Sequence, residues 1–183
     1  TGKKEVEKLN QKYTKKEPIF HFFYRNRKWN EKEKMYLGWE RKRGLIHQLN
    51  HFLITGEPQD FCCISMEKIP EITYVITLDA DTELVLNTGL ELVGAMAHIL
   101  NKPILNKNRT KVIQGHGIMQ PRVGVNLKAS QKNLFTKIFA GLGGTDLYAN
   151  PISDIYQDNF GEGIFAGKGI YDLKTFDKLL KDA

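Results

Sequence analysis

The sequence has few cysteines and prolines and contains no long apolar run. Its two cysteines, Cys62 and Cys63, are adjacent within a short apolar stretch, which predicts buried strand residues in a reducing compartment and excludes a disulfide framework. No run approaches the roughly 18 to 20 apolar residues that span a bilayer, and the polar start TGKKEVEK is not typical of a signal peptide. These absences make the cytosol the default compartment.

The charge balance is basic. The net charge is +6, with the basic residues concentrated in the first third, and 41% of the residues are hydrophobic. This composition is typical of a soluble globular protein, and the length predicts a single domain over residues 1–183. A basic first third suits nucleic acid, an anionic membrane surface or a phosphate-bearing small molecule, and charge alone does not choose between them.

The central feature is the stretch ITYVITLDADTEL at residues 72–84. Its β-branched and aromatic residues predict a strand, and Asp79 and Asp81 follow at the carboxyl end. Ligands bind at that edge in open α/β sheets, and an Asp-x-Asp pair can offer carboxylate oxygens to a divalent ion that holds phosphates. The alternative is a strand that ends in an ordinary Asx-type turn.

Strands and helices are predicted to alternate along the chain. Asn30 with Glu33, and Thr88 with Glu91, have the spacing of capping boxes. We predict helices at 4–14, 30–53, 90–100 and 128–141, strands at 19–24, 61–64, 72–78 and 112–119, and a helix begun by the closing DLKTFDKLLKDA. Gly38 and Gly44 weaken the helix at 30–53, so a break near GWERKRG is an alternative. The apolar residues Leu92, Val93, Met96, Ile99 and Leu100 are expected to face the core. The alternation predicts an α/β fold with a mostly parallel, doubly wound sheet.

Four segments together resemble a known family. They are GWERKRG at 38–44, DADT at 79–82, QPR at 120–122 and FGEGIFAGKGIYD at 160–172. In this combination the chain resembles, from Phe20 to Phe176, the glycosyltransferase domain of cyclic β-1,2-glucan synthases, glycosyltransferase family 84, which is related to the processive family 2. The resemblance implies a GT-A-like, Rossmann-like fold that transfers glucose from UDP-glucose to a growing β-1,2-glucan with inversion, using Mg²⁺ or Mn²⁺.

The resemblance also implies roles for the donor site. Asp79 would lie by the nucleotide, and Asp81 would bind the metal that bridges the diphosphate and neutralises charge on the departing UDP. The basic residues Arg41, Lys42 and Arg43, with Asn50, match a segment that lies near the nucleotide in family 2 relatives, where their charged donors would hold phosphate oxygens. The alternative for this basic run is a solvated helix face.

The implied acceptor site lies further along the chain. Gln120 resembles the start of a Gln-x-Pro region near the acceptor, and Phe165, Ala166 and Gly167 take the place of a loop of small residues that a sugar can approach closely. Glu162 flanks this loop, although a turn or a surface ion pair explains it equally well. The GKG at 167–169 lacks the rest of a phosphate-binding P-loop and is not interpreted as one.

The resemblance leaves the general base unassigned. The family's candidate is a carboxylate in a segment resembling His-Asp-Leu-Leu-Glu, expected beyond Ala183, and a first nucleotide-binding strand is expected upstream. We therefore expect an incomplete fragment of the domain, itself soluble and inactive alone, from a larger membrane enzyme on the cytoplasmic side of the bacterial inner membrane. Its expected partners are UDP-glucose, a glucan acceptor and the rest of that enzyme, and not nucleic acid.

Two other interpretations stay open. One is a different family 2-like processive synthase, with another sugar or linkage. The other is a non-catalytic basic module that binds nucleic acid or anionic lipid. Nucleic-acid binding would weaken steeply with salt and would ignore Asp79 and Asp81, whereas a metal-dependent UDP signal would require them.

Overall fold

The computed structural model describes residues 2–14, 16–66, 68–121, 159, 165 and 167–180. The predicted helix at 128–141 lies outside these residues. The chain divides into two compact units, one formed by Thr1–Thr73 with Asp177–Ala183 and the other by Tyr74–Phe176. Each unit is described by itself, and the single domain over 1–183 stays a prediction.

The first unit combines two helices with two antiparallel strand pairs. Its elements are α1 (Gly2–Tyr13), β1 (Phe23–Arg25), β2 (Lys28–Asn30), β3 (Met35–Leu37), α2 (Arg41–Thr55) and β4 (Phe61–Ile64). Strand β1 pairs with β4, and β2 forms a hairpin with β3. Three rings, Phe23, Phe52 and Phe61, meet edge to face between β1, α2 and β4, with centroids 5.7 to 6.4 Å apart. This aromatic cluster is the apolar centre of the unit.

The predicted helix over 30–53 is wrong in nearly its first half. Residues 28–37 form the β2–β3 hairpin, and the helix begins only at Arg41. The Asn30 side chain does cap backbone N–H groups, accepting hydrogen bonds from Lys32 at 3.0 Å and Glu33 at 3.1 Å. The same asparagine chemistry serves a helix start and a turn, and here it closes the turn of the hairpin.

The predicted strand over 19–24 is shorter than expected. Asn10 of α1 explains the difference, because its side-chain oxygen accepts from the backbone N–H of Ile19 and Phe20 and its amide donates to the Phe20 carbonyl. Those backbone groups are therefore unavailable to a strand partner, and β1 begins at Phe23. The Cys62–Cys63 strand is confirmed, but Cys62 is exposed, which corrects the prediction that both thiols are buried.

The second unit contains the central strand. Its elements are β5 (Tyr74–Thr77), α3 (Thr88–Ala97), a 3₁₀ turn (Ile99–Asn101), β6 (Ile104–Leu105), β7 (Val112–Gln114), β8 (Ile118–Met119), β9 (Gly169–Asp172) and the start of α4 (Leu173–Leu180). Strands β5, β9 and β8 form a sheet with β9 in the centre, and β6 pairs with β7. Ile170 and Tyr171 of β9 are fully buried, and the Tyr171 ring stacks on Phe176 of α4 at 4.2 Å.

The mostly parallel sheet is not found in the described part of the chain. Every strand pair there is antiparallel, including both partners of β9, so the described part of the chain combines helices with small antiparallel sheets. The periodicity that predicted alternating strands and helices counted the β2–β3 hairpin as helix. In addition, the partner of β5 comes from β9, almost a hundred residues later, and composition carries no information on its direction.

Helix α3 packs on the sheet, but it buries less than predicted. Met96 is fully buried against β9 and its carbonyl accepts a hydrogen bond from the Tyr74 hydroxyl at 3.4 Å. The α-helix ends at Ala97, where the Asn101 amide donates to the Ala95 carbonyl, so the helical spacing does not continue and both Ile99 and Leu100 are exposed. Thr88 and Glu91 form no capping box. Within the described ranges no helix has the length and apolarity to cross a membrane.

Candidate active site

The two carboxylates of DADT follow β5 directly, as predicted. The strand ends at Thr77, and the backbone carbonyl of Asp79 accepts from the N–H of Thr82 at 3.0 Å, which closes a turn. Asp81 lies in this turn and is exposed. The strand end and the turn that the alternative interpretation requires are therefore both present, and the metal role of the pair stays a prediction. The turn holds the two carboxylates beyond the last residue of the strand.

The register of β5 against β9 brings a lysine to Asp79. Thr77 pairs with Gly169, so the residue that precedes Gly169 lies beside the chain that leaves β5. That residue is Lys168, and its ammonium nitrogen is 3.2 Å from Oδ2 of Asp79. Both side chains are about two-thirds buried, with exposed fractions of 27% and 32%, so the pair is partly shielded from solvent. Sequence reasoning missed Lys168 because it tested GKG only against the P-loop pattern.

The third strand of the sheet ends at the same edge. Strand β8 runs antiparallel to β9, with Met119 paired to Ile170, so Gln120 lies beside Gly169. A Cβ on Gly169 would lie 2.5 Å from the Met119 carbonyl oxygen and 3.3 Å from the Gln120 Cα, so only glycine allows this approach. We use the name carboxylate edge for the end of the β5–β9–β8 sheet that carries Asp79, Asp81, Gln120 and Lys168.

The predicted acceptor loop is only partly described. Gly167 is buried and has φ of 75°, in the left-handed region that favours glycine. The Phe165 ring packs edge to face on Tyr171 and Phe176, at 6.1 and 6.0 Å, so it contributes to the aromatic core of the second unit. Ala166 and Glu162 lie outside the described residues, and the acceptor roles of the loop and of Gln120 stay predictions.

The predicted phosphate-binding residues lie in the first unit, at the start of α2. Arg41 pairs with Glu33, and Arg43 lies 3.1 Å from the carboxylate of Glu40. Glu40 and Arg41 both have positive φ, 45° and 48°, which is a strained conformation for residues other than glycine. Lys42 is half-buried. The two arginines are mostly exposed, as the alternative of a solvated helix face requires.

The two glycines of GWERKRG have packing roles. A Cβ on Gly38 would lie 2.6 Å from the Arg25 guanidinium, and one on Gly44 would lie 2.1 Å from the Trp39 carbonyl oxygen. Asn50, the other predicted nucleotide residue, is 2% exposed within α2. Much of this motif is therefore required to fold the start of α2. The presence of the GWERKRG motif therefore does not by itself show a phosphate-binding site.

A polar network inside the first unit was not predicted. The Gln48 side chain accepts from Arg25 at 3.0 Å and donates to Asp60 at 2.9 Å, and Lys28 lies 2.7 Å from the same carboxylate. The hydrogen bond from Lys28 lowers the pKa of Asp60. Burial lowers the pKa of Arg25, and the negative charge of Asp60 raises it by a smaller amount. Gln48 could have indicated this network from the sequence, because it is a polar residue beside apolar positions in the last third of a predicted helix.

The carboxylate edge can be tested for its fit to a divalent ion. No group of three or more His, Cys, Asp or Glu side chains suited to a metal is found among the residues that the structure describes. Mg²⁺, however, is commonly held by one or two carboxylates together with substrate phosphates and water. Asp79 is engaged by Lys168, and Asp81 is exposed in the adjacent turn. The exposed Asp81 carboxylate is compatible with an ion that arrives with a diphosphate, and its metal role stays a prediction.

Comparison with known proteins gives one clear similarity. Over 183 residues the chain is 38% identical to the cyclic beta-(1,2)-glucan synthase NdvB of Rhizobium meliloti (strain 1021). The matched region is 98% of this chain and 6% of that enzyme, so the chain spans a small part of its relative's length. No family model matches the chain.

Proposed function

We propose that this chain, which is related to a cyclic β-(1,2)-glucan synthase, is a glycosyltransferase segment that moves glucose from UDP-glucose to a growing β-1,2-glucan with inversion. The observation that carries the proposal is the carboxylate edge, where three strand ends place Asp79, Asp81, Gln120 and Lys168 together. A donor diphosphate needs cations, and an acceptor sugar needs groups that hydrogen-bond to its hydroxyls. Both kinds of group lie along this edge.

The two aspartates have different tasks in this proposal. Asp81 would hold Mg²⁺ or Mn²⁺ on the donor diphosphate, and the ion would supply charge stabilisation for the departing UDP. Asp79 stays beside the nucleotide with its charge offset by Lys168, 3.2 Å away. Without that lysine an ionised Asp79 would repel the diphosphate, because like charges in a partly shielded site interact strongly.

The basic residues of α2 are proposed to contact donor phosphates. Arg41 and Arg43 already pair with Glu33 and Glu40, so a phosphate would have to replace those carboxylates. Exposed ion pairs of this kind contribute about 0 to 1 kcal/mol, so replacing the carboxylates by a phosphate costs little.

Gln120 is proposed to orient the acceptor. It follows β8 directly and is exposed, and the missing side chain at Gly169 lets the backbones of β8 and β9 pack closely beside it. An uncharged amide both donates and accepts hydrogen bonds, which suits sugar hydroxyls. The chemistry also needs a base for the acceptor hydroxyl, and we propose no residue of the described ranges for that role.

Glucose transfer by the full-length gene product tests the proposal. We expect Asp81→Asn to lower kcat by about a hundredfold or more, because the stabilisation of the leaving diphosphate acts mainly as the bond breaks. The matched control is Glu91→Gln, which neutralises an exposed carboxylate in the first turn of α3 and should leave transfer unchanged. Thermal melting of both variants separates lost chemistry from lost folding. Equal activity in the two variants would rule out the metal role of Asp81.

The same assay distinguishes the other interpretations. Linkage analysis of the product identifies a β-1,2-glucan, and a different linkage would indicate another family 2-like synthase. A basic binding module would show no incorporation of glucose in any variant. Its binding to nucleic acid would be insensitive to Asp81→Asn.

A further inference from the structure

The second unit contains a long stretch without acidic residues. From Leu92 to Thr145 the sequence has no aspartate or glutamate, while lysines and arginines recur throughout. The described part of this stretch includes four exposed cations, Lys102, Lys107, Arg109 and Lys111. No ion pair involves them among the residues that the structure describes. A run of one charge sign with no internal compensation is typical of a segment that meets a partner of the opposite sign.

These four cations lie on one continuous piece of structure. Strands β6 and β7 form a hairpin, and the 3₁₀ turn before it is attached to the chain after it, because His116 N–H donates to the Asn101 carbonyl at 2.9 Å. Gly115, with φ of 72°, packs directly on the Lys102 carbonyl, where a Cβ would lie at 2.1 Å. The 3₁₀ turn is therefore attached to the open end of the hairpin on both of its sides, through the chain and through these contacts.

The same piece of structure exposes four large apolar side chains. Ile99 is 77% exposed, Leu100 70%, Ile104 48% and Ile113 64%. We use the name cationic hairpin surface for these four residues together with Lys102, Lys107, Arg109 and Lys111. Four large exposed apolar side chains on one small piece of structure indicate a surface that binds a partner. Isolated exposed leucines would need no explanation.

We propose that the cationic hairpin surface docks on an anionic phospholipid membrane. Apolar side chains that enter the boundary between headgroups and acyl chains, flanked by Lys and Arg that contact anionic headgroups, are the two components of peripheral membrane binding. A nucleic acid would use the cations but would leave the isoleucines in water. A protein partner would use the isoleucines but would not require a stretch free of acidic residues.

A second group of exposed apolar residues, among those that the structure describes in this unit, has acidic neighbours. Val85, Leu86 and Leu90 are 75 to 87% exposed, but Asp81, Glu83 and Glu91 are their neighbours in sequence. An anionic bilayer repels such a patch. It therefore serves as a control in which apolar exposure is kept and the charge is reversed.

Co-sedimentation of the chain with vesicles tests the proposal. The vesicles contain either phosphatidylcholine alone or equal parts phosphatidylcholine and phosphatidylglycerol. Replacing Lys107, Arg109 and Lys111 by glutamine should weaken binding to the anionic vesicles by about a hundredfold, since each cation near an anionic surface contributes about a factor of five. A control variant removes the same amount of charge from the first unit, by replacing Lys3, Lys4 and Lys16 with glutamine. Its loss of binding to the anionic vesicles should be far smaller.

The apolar part is tested with Ile104→Gln and Ile113→Gln, each expected to weaken binding about tenfold. The control is Leu86→Gln with Leu90→Gln, expected to have no effect. The hairpin turn should persist in all these variants, because Asn106 holds it through bonds to Thr110 and Lys111 backbone groups, and far-ultraviolet circular dichroism checks this. Vesicle binding requires neither nucleotide nor glucan, so its result is independent of glucose transfer.

Several results would overturn the proposal. An anionic surface is excluded as the partner if the chain binds neutral and anionic vesicles equally. It is also excluded if the triple cation variant binds anionic vesicles as well as the wild type does. Binding to a homopolymeric RNA that falls with the cation variant and not with the isoleucine variants indicates a nucleic acid. A concentration-dependent dimer that Ile113→Gln dissociates, with no vesicle binding, assigns the surface to a second copy of the chain.

Discussion

The ion pair between Lys168 and Asp79 makes a quantitative prediction. Two unit charges about 4 Å apart attract by about 4 kcal/mol at an effective dielectric constant of about 20, but desolvation offsets most of this. Both side chains are about one-third exposed, so we expect a net coupling of about 1 kcal/mol, at the upper end of surface pairs. For a protein of this size, that coupling corresponds to a change in Tm of about 2 to 4 °C.

A double-mutant cycle isolates this coupling. Lys168→Gln and Asp79→Asn should each destabilise the second unit by about 1 kcal/mol, and the double variant should be no less stable than either single variant, because the first substitution has already removed the ion pair between them. Denaturant unfolding of the four proteins gives the coupling. A value below about 0.3 kcal/mol, within the additivity expected of independent sites, would refute the view that β9 positions Lys168 on Asp79.

The cycle also predicts an asymmetry in UDP binding. Lys168→Gln leaves Asp79 charged beside the diphosphate, so UDP affinity should fall about tenfold or more. Asp79→Asn removes the negative charge and keeps the lysine, so affinity should fall less or increase. Calorimetric titration with UDP in the presence of Mg²⁺ measures both variants, and equal losses would contradict the proposed division of roles.

Three further predictions concern folding. The hydrogen bond from Lys28 lowers the pKa of Asp60, so the stabilisation from this carboxylate is present above the unfolded pKa of about 3.9 and is lost as the pH falls through the lower folded pKa. Asp60→Asn should therefore reduce the fall in the free energy of unfolding that urea denaturation measures below about pH 4. Gly169→Ala should cost about 2 to 3 kcal/mol because its Cβ meets the Met119 carbonyl, whereas Gly94→Ala in α3, with nothing within 4 Å, should stabilise by about 0.5 to 1 kcal/mol in the same unfolding assay. Met96→Ala should cost about 2 to 5 kcal/mol because Met96 is fully buried, and Leu90→Ala, at an exposed position, should change the unfolding midpoint little.

Local features of the sequence predicted local structure well. The strand before DADT, the strand at 61–64, the helix at 88–97 and the helix after Asp172 are all present, because each depends on nearby residues. The position of Asp79 and Asp81 beyond the end of β5 follows from the same local pattern. Asn30 shows the limit of this approach, because its side chain bonds the next N–H groups in the same way at a helix start and in a hairpin turn.

Strand partners and their directions could not be predicted from local patterns. The pairing of β5 with β9 joins residues about a hundred positions apart, and it alone explains why Lys168 reaches Asp79. The prediction of parallel strands failed for the same reason. The network of Arg25, Gln48 and Asp60 likewise joins β1, α2 and the segment before β4, and only the folded arrangement brings these groups within hydrogen-bond distance.

The central claim is that the carboxylate edge binds a divalent ion together with UDP. Nuclear magnetic resonance of the isotope-labelled chain with UDP and Mn²⁺ tests it directly, because paramagnetic broadening falls steeply with distance from the ion. We expect the amide signals of Asp79, Asp81, Gln120 and Lys168 to broaden only when UDP is present, with little effect at the far end of β9, and we expect Asp81→Asn to abolish the broadening. Unchanged signals at this edge, or the same broadening in Asp81→Asn, would contradict the claim.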